Sequence, residues 1–223
     1  LLGVQGAGKS LTARAVAGAW GLPLLRLDMG ALYNKYIGET ERNLRESLRS
    51  AELMAPCVLW LDEIEKGVGG ADTDEGVSRR LLGSLLTWMA EQRDGVFVVA
   101  TANDVSALPP ELLRKGRFDE LFFVDLPDEA TREQIFRIHL RRRGIEPEGI
   151  DVGTLAAASE GFSGAEIEQV VVSARYRAAA EQAPLDSAHL MTEIRATVPL
   201  SVTMAERTEA LRAWADGRTV PAN

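Results

Sequence analysis

The sequence predicts an α/β protein whose parallel β-sheet is flanked by helices and is followed by a small all-α domain. Three observations support this fold class. Short apolar runs alternate with helical patterns as far as residue 127, a glycine-rich loop joins the first apolar run to the first helix, and only helical patterns follow. We therefore expect a large α/β domain over residues 1–127 and an all-α domain over residues 128–223.

The composition is that of an ordinary globular protein. Of the 223 residues, 46% are hydrophobic and 26% are charged, which suffices for one sizeable core and a small second domain. The net charge of −8 argues against a general affinity for nucleic acids or anionic membranes. No apolar run approaches the roughly 18 residues of a membrane-spanning helix. The single cysteine, Cys57, cannot form an internal disulfide, so we expect a reducing compartment such as the cytoplasm.

The elements of the first domain follow from apolar periodicity and from glycine and proline breaks. A sheet buried on both faces has strands that read as continuous apolar runs, whereas its helices carry apolar residues at intervals of three and four. In chain order, we predict helix Lys9–Trp20, strand 22–27, a helix from residue 39 to before Pro56, strand 57–61, a mobile polar loop 67–76, helix 78–91, and strands Val96–Ala100 and 121–124. Because the chain begins inside the strand that leads to the glycine-rich loop, we expect its N-terminal region to be truncated.

The second domain shows no strand pattern. Asp128 can cap a helix that Gly144 ends. Several of the later segments are rich in alanine, which favours helix. The helices predicted here cover residues 128–143, 151–159, 164–182, Ser187–Ala196 and 203–215.

The glycine-rich loop, residues 3–10, reads GVQGAGKS and fits the phosphate-binding pattern GxxxxGK[ST]. Its glycines allow successive backbone N–H groups to face phosphate oxygens, and the start of the next helix adds partial positive charge. The Lys9 ammonium is expected to reach the β- and γ-phosphates, and the Ser10 hydroxyl to ligate Mg²⁺. We predict a nucleotide site formed by Gly3, Val4, Gln5, Gly6, Ala7, Gly8, Lys9, Ser10 and Leu11.

Two carboxylates, Asp62 and Glu63, end the apolar run that begins at Cys57. A strand that ends in this way places them at the carboxyl edge of the sheet, where open α/β sheets bind their ligands. We expect Asp62 to hold the Mg²⁺ shell through water and Glu63 to accept the proton of an attacking water. The next strand ends near Asn103, whose side chain can orient that water.

Residues 112–119, LLRKGRFD, place Arg114 and Arg117 around a glycine, and guanidinium groups are well suited to bind phosphoryl oxygens. With this stretch the chain resembles the AAA ATPases, in which a similar RxGRFD ends a second region of homology. The resemblance implies a P-loop NTPase fold with a helical lid domain and hydrolysis of ATP with Mg²⁺. It also implies a homo-oligomeric ring, expected to be a hexamer, in which both arginines act in trans on the γ-phosphate held by the neighbouring subunit.

The resemblance covers nearly the whole chain. Residues 161–166, GFSGAE, match a lid motif that in AAA ATPases packs beside the adenine and ribose, which implies that Gly164 and Ala165 contact the nucleotide. Residues 35–38, KYIG, lie where the family has pore loop 1. By resemblance, Tyr36 and Ile37 would grip an unfolded protein client in the central channel of the ring.

Residues 54–60, 85–89 and 197–202 are similar to one subgroup, the AAA ATPases of a hypothetical chloroplast reading frame, which has cyanobacterial and other bacterial relatives. This resemblance implies the plastid stroma if the source bears chloroplasts. The phosphate loop departs from the family pattern, because Val4 and Gln5 replace prolines and Ser10 replaces threonine. Two other functions stay open: an ATP-dependent switch or scaffold without threading, and a remodeller of nucleoprotein complexes, which the charge of −8 disfavours.

Overall fold

The structure is a computed structural model that describes residues 1–32, 37–68, 75–91, 94–114 and 116–222, apart from the side chains of residues 37, 38 and 75. The chain forms two compact units. The first contains Leu1–Gly3, Lys9–Phe123 and Ala215–Ala222, and the second contains Val4–Gly8 and Val124–Trp214. The two units interleave along the chain, whereas the domains predicted from the sequence are consecutive, so the division at residue 127 stays a prediction.

The first unit is built on parallel strand pairs. Strands β2 (Leu24–Asp28), β3 (Cys57–Asp62) and β4 (Val96–Ala100) form a sheet in the order β2-β3-β4. Strands β1 (Leu2–Gly3), β5 (Phe122–Val124) and β6 (Val220–Pro221) form a second sheet in the order β1-β5-β6. An isolated parallel bridge joins Leu2 of β1 to Ala102, just beyond β4. Every residue of the central strand β3 is buried, which explains why this strand reads as a continuous apolar run.

Within the described part of this unit, four helices accompany these strands: α1 (Lys9–Trp20), α2 (Ile37–Leu53), α3 (Ile64–Val68) and α4 (Glu75–Ala90). Helix α1 packs on β3, and helix α2 packs against α4. Ala13, Ala17, Val58, Trp60 and Val99 form one buried cluster, in which the small alanines let the helix approach the sheet closely. The packing of α1 on β3 fixes the start of α1, at Lys9, relative to the end of that strand.

The second unit is mainly helical. Its helices are α5 (Glu129–Arg141), α6 (Val152–Ala158), α7 (Gly164–Ala180), α8 (Ser187–Ala196), α9 (Leu200–Thr203) and α10 (Ala205–Ala215), with a 3₁₀ turn at Pro147–Gly149. Asp128, Asp151, Ser163 and Asp186 cap α5, α6, α7 and α8, and each side chain accepts a backbone N–H of the first turn. Among the described residues, no helix combines the length and apolar character needed to cross a membrane.

The structure confirms the predicted fold class, and the bounds predicted for α1, β4 and α8 agree with it. Two differences concern short elements. Residues 67 and 68 of the predicted loop belong to α3 and residues 75 and 76 to α4, while residues 69–74 lie outside the described residues. Strand β6 forms after residue 127, where no strand was predicted. Helix α3 and strand β6 are too short to carry a periodic signal.

The cap of α8 contains a titratable pair. His189 Nδ1 lies 2.6 Å from Asp186 Oδ1, and His189 Nε2 lies 3.2 Å from Glu181 Oε2. Burial of the ring works against its charged form, but hydrogen bonds to the two carboxylates prevail and raise the pKa of His189 above its ordinary value of 6.5. A raised pKa means that the protonated ring stabilises the folded state below the unfolded pKa. This stabilisation is lost as the pH rises through the folded pKa.

We predict that His189→Gln destabilises the chain more at a pH of about 5.5 than at a pH of about 8, because glutamine carries no charge for the two carboxylates. Glutamine at this third helical position can still complete a capping box with Asp186, so the helix start is preserved. Urea unfolding of both proteins at the two pH values measures the difference. Equal destabilisation at both values would contradict the assignment.

Candidate functional site

Three of the polar residues predicted from the sequence lie at one edge of the β2-β3-β4 sheet. In the parallel register, Asp28 is paired with Asp62 and Leu61 with Ala100, so the three strands end side by side. Glu63 follows β3 directly, and Asn103 lies three residues beyond β4. The carboxyl ends of parallel strands therefore gather these side chains, as the sequence predicted.

Asp62 is buried and is hydrogen-bonded on both carboxylate oxygens. The Thr101 hydroxyl donates to Oδ1 at 2.7 Å. Arg26, on β2, donates to Oδ2 through Nε at 3.0 Å and through Nη2 at 2.7 Å. Hydrogen bonding to Asp62 raises the pKa of Arg26 above its ordinary value. The negative charge of Asp62 is thus matched by a guanidinium that the sequence reasoning did not identify.

Thr101 joins the ends of β3 and β4. Its hydroxyl is buried, donates to Asp62, and accepts the backbone N–H of Glu63 at 3.2 Å and the indole N–H of Trp60 at 3.3 Å. One donor and two acceptor sites are all that a hydroxyl offers, so Thr101 is fully satisfied. The sequence reasoning missed this residue, although a polar side chain directly after the apolar run Val96–Ala100 was an available signal.

Glu63 has a backbone φ of 52°, in the left-handed region that residues other than glycine rarely adopt. Its side chain has two partners. Asn103 Nδ2 donates to Oε1 at 3.2 Å, and Lys66 Nζ, one turn into α3, donates to Oε2 at 2.5 Å. The structure therefore brings together Glu63 and Asn103, the two residues predicted to handle water. Unusual backbone of this kind is concentrated at functional sites.

Glu65 is a second residue that sequence reasoning missed. Its Oε1 accepts the backbone N–H of Asn103 at 3.0 Å, whereas its Oε2 is buried and has no hydrogen-bond partner among the described residues. Burial raises the pKa of the Glu65 carboxyl, and the bond from Asn103 works in the opposite direction. Glu65 thus holds the backbone of Asn103 while the Asn103 side chain contacts Glu63.

Lys9 lies within the electrostatic reach of these carboxylates. The side chain is buried, and Nζ donates to the carbonyl oxygen of Gly3 at 2.8 Å. Burial lowers the pKa of Lys9 to about 8, while Glu65, Glu63 and Asp62 act to raise it. At neutral pH the ammonium is therefore mostly protonated.

The central part of the phosphate loop, Val4–Gly8, belongs to the second unit, and there it contacts the start of α7. The carbonyl oxygen of Gly6 accepts the N–H of Ala165 at 3.2 Å. Gly6 has a φ of +78°, and a Cβ at this position would lie 2.7 Å from Ser163 Oγ. The loop thus needs glycine at residue 6 for both conformation and space. The structure also places Gly6 beside Gly164 and Ala165, while their contact with a nucleotide stays a prediction.

The α7 start is itself held by one carboxylate. Glu166 Oε2 accepts the N–H of Ser163 at 2.8 Å and completes a capping box, while Oε1 accepts the N–H of Leu200 at 2.8 Å. The backbone that carries Ala165 is therefore fixed from both sides.

The remaining predicted residues differ in what the structure describes. Arg114 is exposed, whereas Arg117 is partly buried and its Nη1 donates to the carbonyl oxygen of Leu86 in α4 at 2.7 Å. Tyr36 lies outside the described residues. Ile37 begins α2, but its side chain is not described.

The protein oxygen atoms available at this site suit a cation that takes most of its ligands from water and phosphate. The described residues contain no group of three or more His, Cys, Asp or Glu side chains that could enclose a metal ion. Asp62 and the Ser10 hydroxyl, which follows Lys9, offer oxygen ligands. Mg²⁺ is typically bound through one or two such protein oxygens, with water and phosphate oxygens completing an octahedral shell.

Comparisons with known proteins agree with this geometry. A sequence profile described as "ATPase family associated with various cellular activities (AAA)" matches residues 1–126, and a profile for the AAA+ lid domain matches residues 149–192. The uncharacterized AAA domain-containing protein ycf46 of Pyropia yezoensis is 47% identical over 222 residues, which cover 98% of this chain and 45% of that protein. The ycf46 protein of Guillardia theta is 45% identical over 220 residues, covering 96% and 43%.

A third relative has a different name. The proteasome-activating nucleotidase of Aeropyrum pernix is 38% identical over 185 residues, which cover 80% of this chain and 45% of that protein. The chain thus spans less than half the length of these three relatives. The AAA profile covers more than half of the chain, and the ycf46 proteins align with almost all of it. The resemblance stated from the sequence is therefore confirmed, and the chain belongs to the AAA family of ATPases.

Proposed function

We propose that this ATPase is a Mg²⁺-dependent module that assembles into a ring and uses ATP hydrolysis to remodel or translocate a protein client. The observation that carries the proposal is the network at the sheet edge, in which Asp62, Glu63 and Asn103 are linked through hydrogen bonds around Thr101. These side chains are the ones that hydrolysis of a nucleotide requires: a carboxylate for the metal shell, a base, and an amide that can hold water.

We assign the roles of the residues from the sequence motifs that contain them. The phosphate loop and Lys9 bind the phosphates, and Leu11, Gly164 and Ala165 complete the nucleotide site. Ser10 and Asp62 hold Mg²⁺, which when bound neutralises charge on the β- and γ-phosphate oxygens.

Glu63 acts as the general base. It accepts a proton from a water whose oxygen then bonds to the γ-phosphorus, and the bond from that phosphorus to the bridging oxygen breaks to release ADP and phosphate. Asn103 donates to Glu63 at rest and is close enough to orient the same water. Glu65 accepts the backbone N–H of Asn103, so the side-chain amide of Asn103 extends from a fixed backbone position.

Assembly of subunits supplies positive charge to the γ-phosphate that a single subunit does not provide. We propose that Arg114 reaches the γ-phosphate bound by the neighbouring subunit, and the exposure of its side chain supports this role. Arg117 stands on the same loop and is tied to α4, so it can anchor the loop as well as contribute charge. An isolated subunit is then a poor ATPase, and a ring, expected to be a hexamer, completes each site.

A protein client is supported by the relatives. The proteasome-activating nucleotidase acts, by its name, on a proteolytic machine, and it shares 38% of aligned residues with this chain. Tyr36 and Ile37 are proposed to form the client-gripping loop. Nucleic acid is a less suitable substrate for a chain with a net charge of −8. A cytoplasmic or stromal location stays a prediction.

We predict that Glu63→Gln retains ATP binding and lowers turnover by about 10²-fold or more, because the amide cannot accept the proton of water. Nucleotide binding by calorimetry and phosphate release measure the two effects separately. Glu148→Gln, an exposed glutamate on the 3₁₀ turn, serves as the matched control and should hydrolyse ATP like the unmodified chain. Unchanged turnover of Glu63→Gln would remove Glu63 from the role of base.

We also predict that Arg114→Ala lowers turnover by about 10³- to 10⁵-fold, the range reported for arginine fingers, without preventing ATP binding. Mixing Arg114→Ala subunits with Lys9→Ala subunits should restore part of the ATPase rate, because the second variant lends its Arg114 to the intact phosphate loop of the first. The control mixture contains Arg114→Ala with the double variant Lys9→Ala/Arg114→Ala and should restore nothing. Absence of recovery at every mixing ratio would contradict action in trans.

A further inference from the structure

We propose that Arg26 is an internal counter-ion of Asp62 that moves to Asp28 when the metal binds, and that it thereby sets the Mg²⁺ concentration the site requires. Arg26 is a positioning residue in this scheme, since it acts through Asp62. The proposal rests on the function proposed above, because it assumes that Asp62 serves the metal shell.

The first step concerns the number of hydrogen bonds that the Asp62 carboxylate can accept. A carboxylate offers about four lone-pair directions. Thr101 occupies one on Oδ1, and the two Arg26 donors occupy two on Oδ2. A single direction is left for a metal-bound water. A guanidinium at 2.7 Å also repels a divalent cation brought to the same carboxylate. Full use of Asp62 by the metal shell therefore requires Arg26 to leave Oδ2.

The second step concerns the place to which Arg26 can move. Nη2 of Arg26 lies 3.5 Å from Asp28 Oδ2, just beyond hydrogen-bond range. The orientation of the Asp28 carboxylate is fixed, because its Oδ1 accepts the N–H groups of Gly30 and Ala31 at 3.0 and 3.2 Å. The parallel register pairs Asp28 with Asp62 on neighbouring strands, so both carboxylates flank the same guanidinium. A shift of less than about one ångström brings Nη2 into hydrogen-bond range of Asp28.

The third step concerns what guides the movement. The guanidinium carbon of Arg26 lies 5.0 Å from the centroid of the Trp60 ring, within cation–π range. Trp60 is buried, and its indole N–H is fixed by Thr101. The ring is therefore a rigid surface along which the guanidinium can slide without losing that contact. The Arg26 side chain is 51% exposed, so solvent does not oppose the shift.

The experiment measures metal binding rather than turnover. In the Glu63→Gln background, the Mg²⁺ concentration that half-saturates binding of a fluorescent ATP analogue is determined for the parent and four variants. We expect Arg26→Gln to lower this concentration roughly tenfold, because the competing charge is gone. Asp28→Asn should raise it several-fold, since the alternative partner is lost. Combining both substitutions should give the value of Arg26→Gln alone.

The controls separate this proposal from a structural role. Arg26→Lys keeps the positive charge and should stay within about threefold of the parent. Binding of the analogue in EDTA and the thermal unfolding temperature are measured for every variant and show whether it is folded at the assay temperature. If Arg26→Gln fails to fold, Asp28→Asn still tests the proposal.

The results that would overturn this inference differ from the result that would overturn the proposed function. An Arg26→Gln value equal to or above that of the parent would show a permanent structural ion pair and overturn the inference, with the proposed function intact. An Asp28→Asn effect that persists in the double variant would also overturn it. Failure of the parent to bind the analogue at any Mg²⁺ concentration would instead overturn the proposed function.

Discussion

The site depends on one buried hydroxyl. Thr101 connects the end of β4 to three groups of β3 and its extension: the Trp60 indole, the Asp62 carboxylate and the Glu63 backbone N–H. An unsatisfied buried polar group costs about 1–3 kcal/mol, so these bonds hold the two strand ends in a single relative position. The left-handed backbone of Glu63 is stabilised by the same connection. Asp62 and Glu63, which we propose for the metal shell and for the general base, therefore share one anchor.

Much of the fold could be predicted because it rests on local chemistry. Glycines at the phosphate loop, the apolar run Cys57–Asp62 and the cap Asp128 each have a direct structural consequence. The same is true of the residues that the motifs identify, since a strand end fixes where Asp62 and Glu63 lie. Parallel pairing then explains why Asn103, forty residues later, contacts Glu63.

The residues that escaped prediction act only through tertiary contacts. Arg26 lies in a short apolar strand, and nothing in its neighbours shows that Asp62 is its partner. Thr101 follows a buried strand in the way that many strand-ending residues do. Glu65 is one of several acidic residues in a polar stretch, and its burial is visible only once α3 is packed. Elements as short as α3 and β6 show no periodic pattern of apolar residues, so the sequence alone does not predict them. Their packing against the rest of the unit determines their secondary structure.

The link between Gly6 and α7 has a mechanical meaning. Because the Gly6 carbonyl is bonded to Ala165 and Glu166 is bonded to both Ser163 and Leu200, the phosphate loop, the α7 start and the α9 start form one linked segment. A displacement of the loop backbone at Gly6 would therefore reach Leu200 through two hydrogen bonds. The backbone of the loop and the start of α9 are thus coupled within the helical unit by one backbone hydrogen bond and one bond that the Glu166 side chain accepts.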